Sequence, residues 1–141
     1  MARASRTRVA GRDGSTASSR RSALRAAWSD EIAEAHSARV RADVTLEWKH
    51  LERAHILSQP IATAHVRTHV AMLAYGFRRR DRREIVGQLV RLIVAGPGSL
   101  TGRYPVGNTG GADVSALRPM RLPDDLRAIL ESTVSTPGEG D

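Results

Sequence analysis

For its first 96 residues this chain carries a single proline, Pro60, and that residue falls in the middle of a long helix-periodic stretch. Proline has no backbone N–H and its ring clashes with the preceding turn, so one helix cannot run through TLEWKHLERAHILSQPIATAHVRTHVAML uninterrupted. The stretch reads instead as two helices hinged at Gln59-Pro60, with Pro60 suited to a first helical position. In an α-helix neighbours sit about 100° apart. Glu52 and His55, three apart, therefore share a face, as do His65 and His69, four apart. If the hinge folds the helices back antiparallel, positions equidistant from it face one another. His55 then faces His65, and Glu52 faces His69 to within one residue of register. Three imidazoles and a carboxylate on facing helices are the donor set of a transition-metal site.

The cysteine count is zero, which excludes thiolate ligands and disulfides, so such a metal is held by imidazole and oxygen alone. Zinc and iron are the foremost candidates, with nickel and copper also compatible. Three ligands and a water would leave an open position for Lewis-acid or water-activating chemistry; four would suit storage or structure. Against this stands the reading in which the histidines are hydrogen-bonded core or surface residues. A second Glu-x-x-His pair, Glu47 and His50, lies about 140° around the same helix from His55, too far to share its ion. A dinuclear carboxylate site would need further ligands such as Glu31, Glu34 and His36 from the first helix.

The chain's 141 residues suffice for one domain with one modest core, and with 4% aromatics that core must come from Leu, Ile, Val and Ala. The net charge of +7 suggests nucleic acid until it is located. Seven arginines against one acid, Asp13, fall within residues 1–25, so the basic character belongs to the tail and the remainder is nearly neutral. Residues 1–21 lack periodicity and are expected to be a disordered basic tail, followed by one helical domain over 22–133 and a frayed 134–141. No apolar run is long enough to cross a membrane, and the tail lacks the apolar core of a secretory signal. A cytoplasmic protein is expected.

The pattern predicts an all-α fold of four helices arranged as stacked hairpins or a small bundle, with a tetratricopeptide-like cadence in the third and fourth. They span about Ser22–Arg39, Asp43–Ser58, Pro60–Arg79 and Arg82–Val94. Ser22, Asp43 (or Thr45) and Asp81 are the expected N-caps, with Glu84 completing a capping-box pattern. On the fourth helix Ile85, Leu89, Leu92 and Ile93 form the expected buried face. From Gly96 the pattern breaks into a Gly/Pro-rich irregular segment, and a last short helix covers about Asp124–Glu131. Within that segment GRYPVGNTGG offers backbone N–H groups for an anion, with Arg103, Asn108 and Thr109 as contacts. Its other reading is a structural loop in which the glycines take positive φ and Asn108 bonds its own backbone.

The strings LERAHILSQP, HVRTHVAML, RRRDRREIVGQLVRL, GSLTGRYPVGNTGG and RPMRLP, spanning roughly Trp48–Leu126, resemble a bacterial family catalogued as domain of unknown function 3703. Where members commonly carry an arginine after GNTG, this chain has Gly111. The resemblance carries no activity; the neighbourhood of heavy-metal resistance genes that it implies points in the direction of the histidines. The reading is therefore a small metal-binding protein, in metal handling or resistance or in a small metal-dependent reaction. A tetratricopeptide-like interaction module with structural histidines and a protein partner comes second. A nucleic-acid accessory protein using the basic tail comes third.

Overall fold

The computed structural model describes residues 10–100, 106–115 and 118–134. Among these it is all-helical, with five helices and no strand: α1 (Ala10–Val40), α2 (Val44–Ser58), α3 (Ala62–Arg79), α4 (Arg82–Leu100) and α5 (Asp124–Val134). Short turns join the first four. Ala42 at φ 57° and Arg80 at φ 55° take the left-handed conformation that ends α1 and α3. In each case the following residue donates its N–H back into the helix, Asp43 to Ala38 at 2.9 Å and Asp81 to Gly76 at 3.0 Å. Both aspartates then cap the next helix. Asp43 Oδ1 accepts from Leu46 N and Asp81 Oδ1 from Glu84 N, each at 3.0 Å. Pro60 lies in the turn, and α3 starts two residues later than expected, behind Ile61.

Two apolar clusters hold the helices. Leu24 of α1, Ile56 and Leu57 of α2, Ile61, Ala64 and Leu126 of α5 form the first, with Trp28 packed against it. Trp28 also donates from Nε1 to Thr68 Oγ1 at 2.9 Å, which ties α1 to α3. The second gathers Ala35, Leu51 and Met72, flanked by Trp48 and Tyr75 with ring centroids 4.9 Å apart. An ion-pair network clasps α1, α2 and α5: Glu31 accepts from His50 at 2.7 Å and Arg53 at 2.8 Å, and Arg53 also reaches Asp125 at 2.6 Å. Among the described residues α4 packs against α3 and no other helix.

Three expectations are corrected. The first helix begins at Ala10 rather than Ser22, so Ser22 is an interior, exposed residue and residues 10–21 are helical; residues 1–9 lie outside the described residues. Once the packed part of α1 is nucleated, each further residue gains one backbone hydrogen bond for one pair of dihedrals fixed, and the helix propagates beyond the buried Leu24. α4 likewise runs through Gly96-Pro97-Gly98 to Leu100, beyond the expected break.

The third correction concerns which way α4 faces. Of the expected face, Ile85 and Leu92 are partly buried, Ile85 beside Gly76 of α3, but Leu89 and Ile93 are exposed, the latter by 77%, whereas Glu84, Gln88 and Arg91 are buried. Glu84, Gln88 and Arg91 are spaced i, i+4, i+7, so a polar stripe faces inward. Glu84 does not complete a capping box, because its carboxylate is engaged elsewhere: Oε1 accepts from Gln88 Nε2 at 2.5 Å and Oε2 from Ala112 N at 2.9 Å.

Candidate metal centre

His55 lies one turn from the C-terminal end of α2, and His65 and His69 occupy successive turns of α3. The Gln59-Pro60 turn folds the two helices together so that all three rings are buried and point their Nε2 atoms at one another. The separations are 2.9 Å for His55–His65, 3.3 Å for His55–His69 and 3.2 Å for His65–His69. Ring centroids stand 4.7–4.8 Å apart, edge-on or tilted rather than stacked.

The partners of the other ring nitrogens fix what those Nε2 atoms are. His55 Nδ1 lies 2.8 Å from the backbone oxygen of Asn108, which can only accept, so Nδ1 carries the proton. His69 Nδ1 lies 2.6 Å from Gln88 Oε1. The amide orientation of Gln88 is set by its nitrogen, which donates to Glu84 Oε1 and, at 2.8 Å, to the oxygen of Gly110; its oxygen therefore accepts, and His69 Nδ1 also carries the proton. In neutral rings with protonated Nδ1, Nε2 is a bare lone pair. At least two lone pairs thus face each other at 3.3 Å with no proton between them.

Protonation is opposed as well. The His55 pKa is driven well below the ordinary value of 6.5, first by burial and then by the charges of His69 and His65, against a smaller opposing effect of the Asn108 hydrogen bond. Burial also lowers that of His69, to about 4, with Arg91 adding to the effect and the Gln88 hydrogen bond opposing it. At neutral pH both are uncharged imidazoles, the form that binds a metal.

The triangle has the size such an ion needs. The circle through three atoms at these separations has a radius of about 1.8 Å. That radius falls just short of the usual Zn–N distance of about 2.0–2.1 Å, so His55, His65 and His69 could all ligate one such ion. Among the described residues, this is the one group of three or more histidine or acidic side chains with a geometry that can hold a metal ion, and its ligand atoms all lie within 4.8 Å of one another. Hydrogen bonds donated by the remote ring nitrogens to a backbone carbonyl and a buried amide oxygen are the outer partners that metal-bound histidines ordinarily have.

The loop after α4 completes the enclosure. Gly110, at φ +83°, lies flat over His55: a Cβ there would stand 2.6–2.8 Å from three ring atoms. Gly107, at φ +75°, brings the backbone against Met120, whose N–H donates to Val106 O at 3.0 Å. The buried Asn108 side chain holds the loop in shape. Its amide donates to the oxygens of Ser115 and Arg118, both at 2.8 Å, and its Oδ1 accepts from Gly110 N at 3.0 Å.

Of the residues singled out by sequence, His55, His65 and His69 are thus brought together, and His55 faces His65 as the register requires. Glu52 is not one of the group; His69 turns to the other two imidazoles instead of facing it. The Glu52 carboxyl is half-buried, and its pKa is raised, by burial first and then by Asp113, while Thr109 and Trp48 offer it hydrogen bonds. It sits one turn before His55, on the side where Trp48, Tyr75, Glu84 and Asp113 line an open groove. Asn108 serves the structure rather than an anion, its polar atoms being fully engaged. Thr109 Oγ1 is buried and close to Glu52 without a well-formed hydrogen bond. Arg103 lies outside the described residues. Of the second Glu-x-x-His pair, Glu47 pairs with Arg78 and His50 with Glu31, and His36 lies beside Arg39.

Sequence reasoning missed Gln88 and the Asn108 carbonyl. Gln88 had a visible signal in the Glu84–Gln88–Arg91 polar stripe, which is out of place on the inward side of an apolar helix. A backbone carbonyl has none.

No curated protein and no solved structure matches this chain. A family model, described as a protein of unknown function (DUF3703), matches residues 22–130, a span that takes in all three histidines, Gln88 and the Asn108 loop. The chain belongs to that family.

Proposed function

We propose that this protein binds one divalent transition-metal ion, zinc or iron foremost, through the Nε2 atoms of His55, His65 and His69, and works in metal handling or a small metal-dependent reaction. The observation that carries this reading is the convergence of three buried Nε2 atoms within 2.9–3.3 Å, with His55 and His69 held in the tautomer that presents a bare Nε2 lone pair to the centre. Three buried imidazole nitrogens share at most one proton among them in the neutral state, and a bound ion would engage all three lone pairs at once. Three protein ligands leave a fourth position for water or substrate, the arrangement of catalytic rather than closed structural zinc sites. Glu52, in the groove-side turn next to His55, is the residue we assign to that open side, as an outer carboxylate acting on a bound water rather than as a ligand. The stacked-hairpin, tetratricopeptide-like description of the helices belongs to the same proposal, with the hairpins as the frame that brings α2 and α3 together.

The test is elemental analysis of untagged protein purified without chelators, beside His65→Ala. About one equivalent of a transition metal, lost in the variant, is the expected result. Absence of metal from both, with equal affinity of both for added zinc and ferrous iron, would overturn the reading.

A further inference from the structure

The inward polar stripe of α4 leaves part of its apolar side as a face that the metal site does not use. Val86, Leu89, Val90 and Ile93 follow the i, i+3, i+4, i+7 spacing of a buried helix stripe, yet all are roughly half exposed or more. On α3, Val70 and Phe77 are also exposed, one heptad apart. They lie on the side of α3 away from Thr68 and Tyr75, which meet α1 and α2 through Trp28 and Trp48. The outer side of the α3–α4 hairpin is therefore a continuous aliphatic and aromatic surface on which no helix packs among the described residues.

We infer that this face joins two copies of the chain into a symmetric dimer, in which α3 and α4 of both protomers form a four-helix bundle. Area supports a second copy as the occupant. The six side chains expose roughly 600 Å² of apolar surface, the upper end of what single soluble proteins tolerate. Two such faces meeting would bury about 1,200 Å² from these side chains alone, the threshold of specific stable interfaces. The six positions carry no charge, as the centre of a self-associating interface requires, since like groups meet across a two-fold axis.

Charge fixes the direction. Arg79, Arg80, Arg82 and Arg83 are exposed at the α3–α4 turn, one end of the hairpin. A head-to-head arrangement would bring eight cations together, so the hairpins run antiparallel, each arginine-rich turn lying beyond the far end of its partner. The triads face away from the interface, one in each protomer, so dimerisation does not depend on metal.

Sedimentation equilibrium of the full chain from about 1 to 100 µM tests this. The expected wild-type species is about twice 15.3 kDa at the upper end, with or without chelator. Val86→Glu/Ile93→Glu, both at exposed positions, is expected to weaken association at least 100-fold and leave the far-UV circular dichroism unchanged. A wild type at 15.3 kDa throughout would overturn the inference, leaving the face to a segment of the chain itself or to another protein. A dimer that withstands the double change would place the interface elsewhere and equally overturn it. Because the chain has no cysteine, a spin label on Arg80→Cys is unique; separations beyond about 25 Å are expected, and short ones would overturn the antiparallel arrangement.

Discussion

Metal-free protein should lose stability as pH falls below 6.5, well before its carboxylates begin to titrate. The His69 pKa is near 4 in the folded chain and 6.5 when the chain unfolds, so the folded state disfavours the proton. A group of this sign contributes its full stability above the unfolded value and loses it as pH descends through the window from 6.5 to about 4. The loss from His69 alone is about 1.4 kcal/mol at pH 5.5 and about 2.5 kcal/mol at pH 4.5. His55, shifted in the same direction, adds to it. Against a total of about 5–15 kcal/mol, this is a large fraction. Urea titration in chelator at pH 7.5, 6.5, 5.5 and 4.5 reads it directly. With a slope of about 2 kcal/mol per molar, the midpoint should drop by roughly 0.7 M between pH 7.5 and 5.5 from His69 alone.

Two other groups bear on the window. Asp125, held below its ordinary 3.8 chiefly by Arg53, gives up stability only below that value. Glu52 is raised, so its contribution is present below 4.5 and lost as pH rises; it opposes the histidines, and a Glu52→Gln background removes it. His69→Gln should flatten the dependence. A midpoint unchanged between pH 7.5 and 5.5 in the Glu52→Gln background would refute the argument that these imidazoles are buried as neutral rings.

Gln88→Leu removes the acceptor that orients His69 and should weaken metal binding about 10- to 100-fold, measured by competition with a chromophoric chelator. Gly110→Ala places a methyl within 2.8 Å of the His55 ring at a positive φ, so metal affinity and thermal midpoint should fall together; an unchanged affinity would show that the loop does not press on the ligand. Leu126→Ala empties a fully buried position between α5 and the first cluster and should cost about 2–5 kcal/mol by denaturation while leaving metal stoichiometry intact. Trp28→Phe, which leaves Thr68 without its donor, should cost about 1 kcal/mol in the same assay.

The histidines were legible because helix geometry and one proline suffice to place them: a hinge at residue 60 fixes the register, and three- and four-residue spacings fix the faces. Glu52 misled because register places Cα positions, not side chains; opposite it His69 had nearer partners in two imidazoles. The caps at Asp43 and Asp81 were readable since each short carboxylate acceptor precedes a helix by the spacing its chemistry needs. The face of α4 was not. Hydropathy assigns the apolar side inward, whereas a buried hydrogen-bonded network requires the polar side there and leaves the apolar side for a neighbour. The GNTGG loop was legible as a shape, through its glycines and Asn108, but the contact of its Asn108 carbonyl with His55 lies 53 residues away and is invisible in local sequence.

That separation divides the centre into a local part and a distant part. The three ligands come from one short hairpin, 14 residues from first to last, while the groups that fix their tautomers arrive from residues 88 and 108. A hairpin can take up an ion before α4 and the loop have docked, and their docking then hardens what it holds. If the centre binds an ion as proposed, capture by the hairpin would precede locking, and release would require the Gly107–Gly111 strap over His55 to lift before α2 and α3 part.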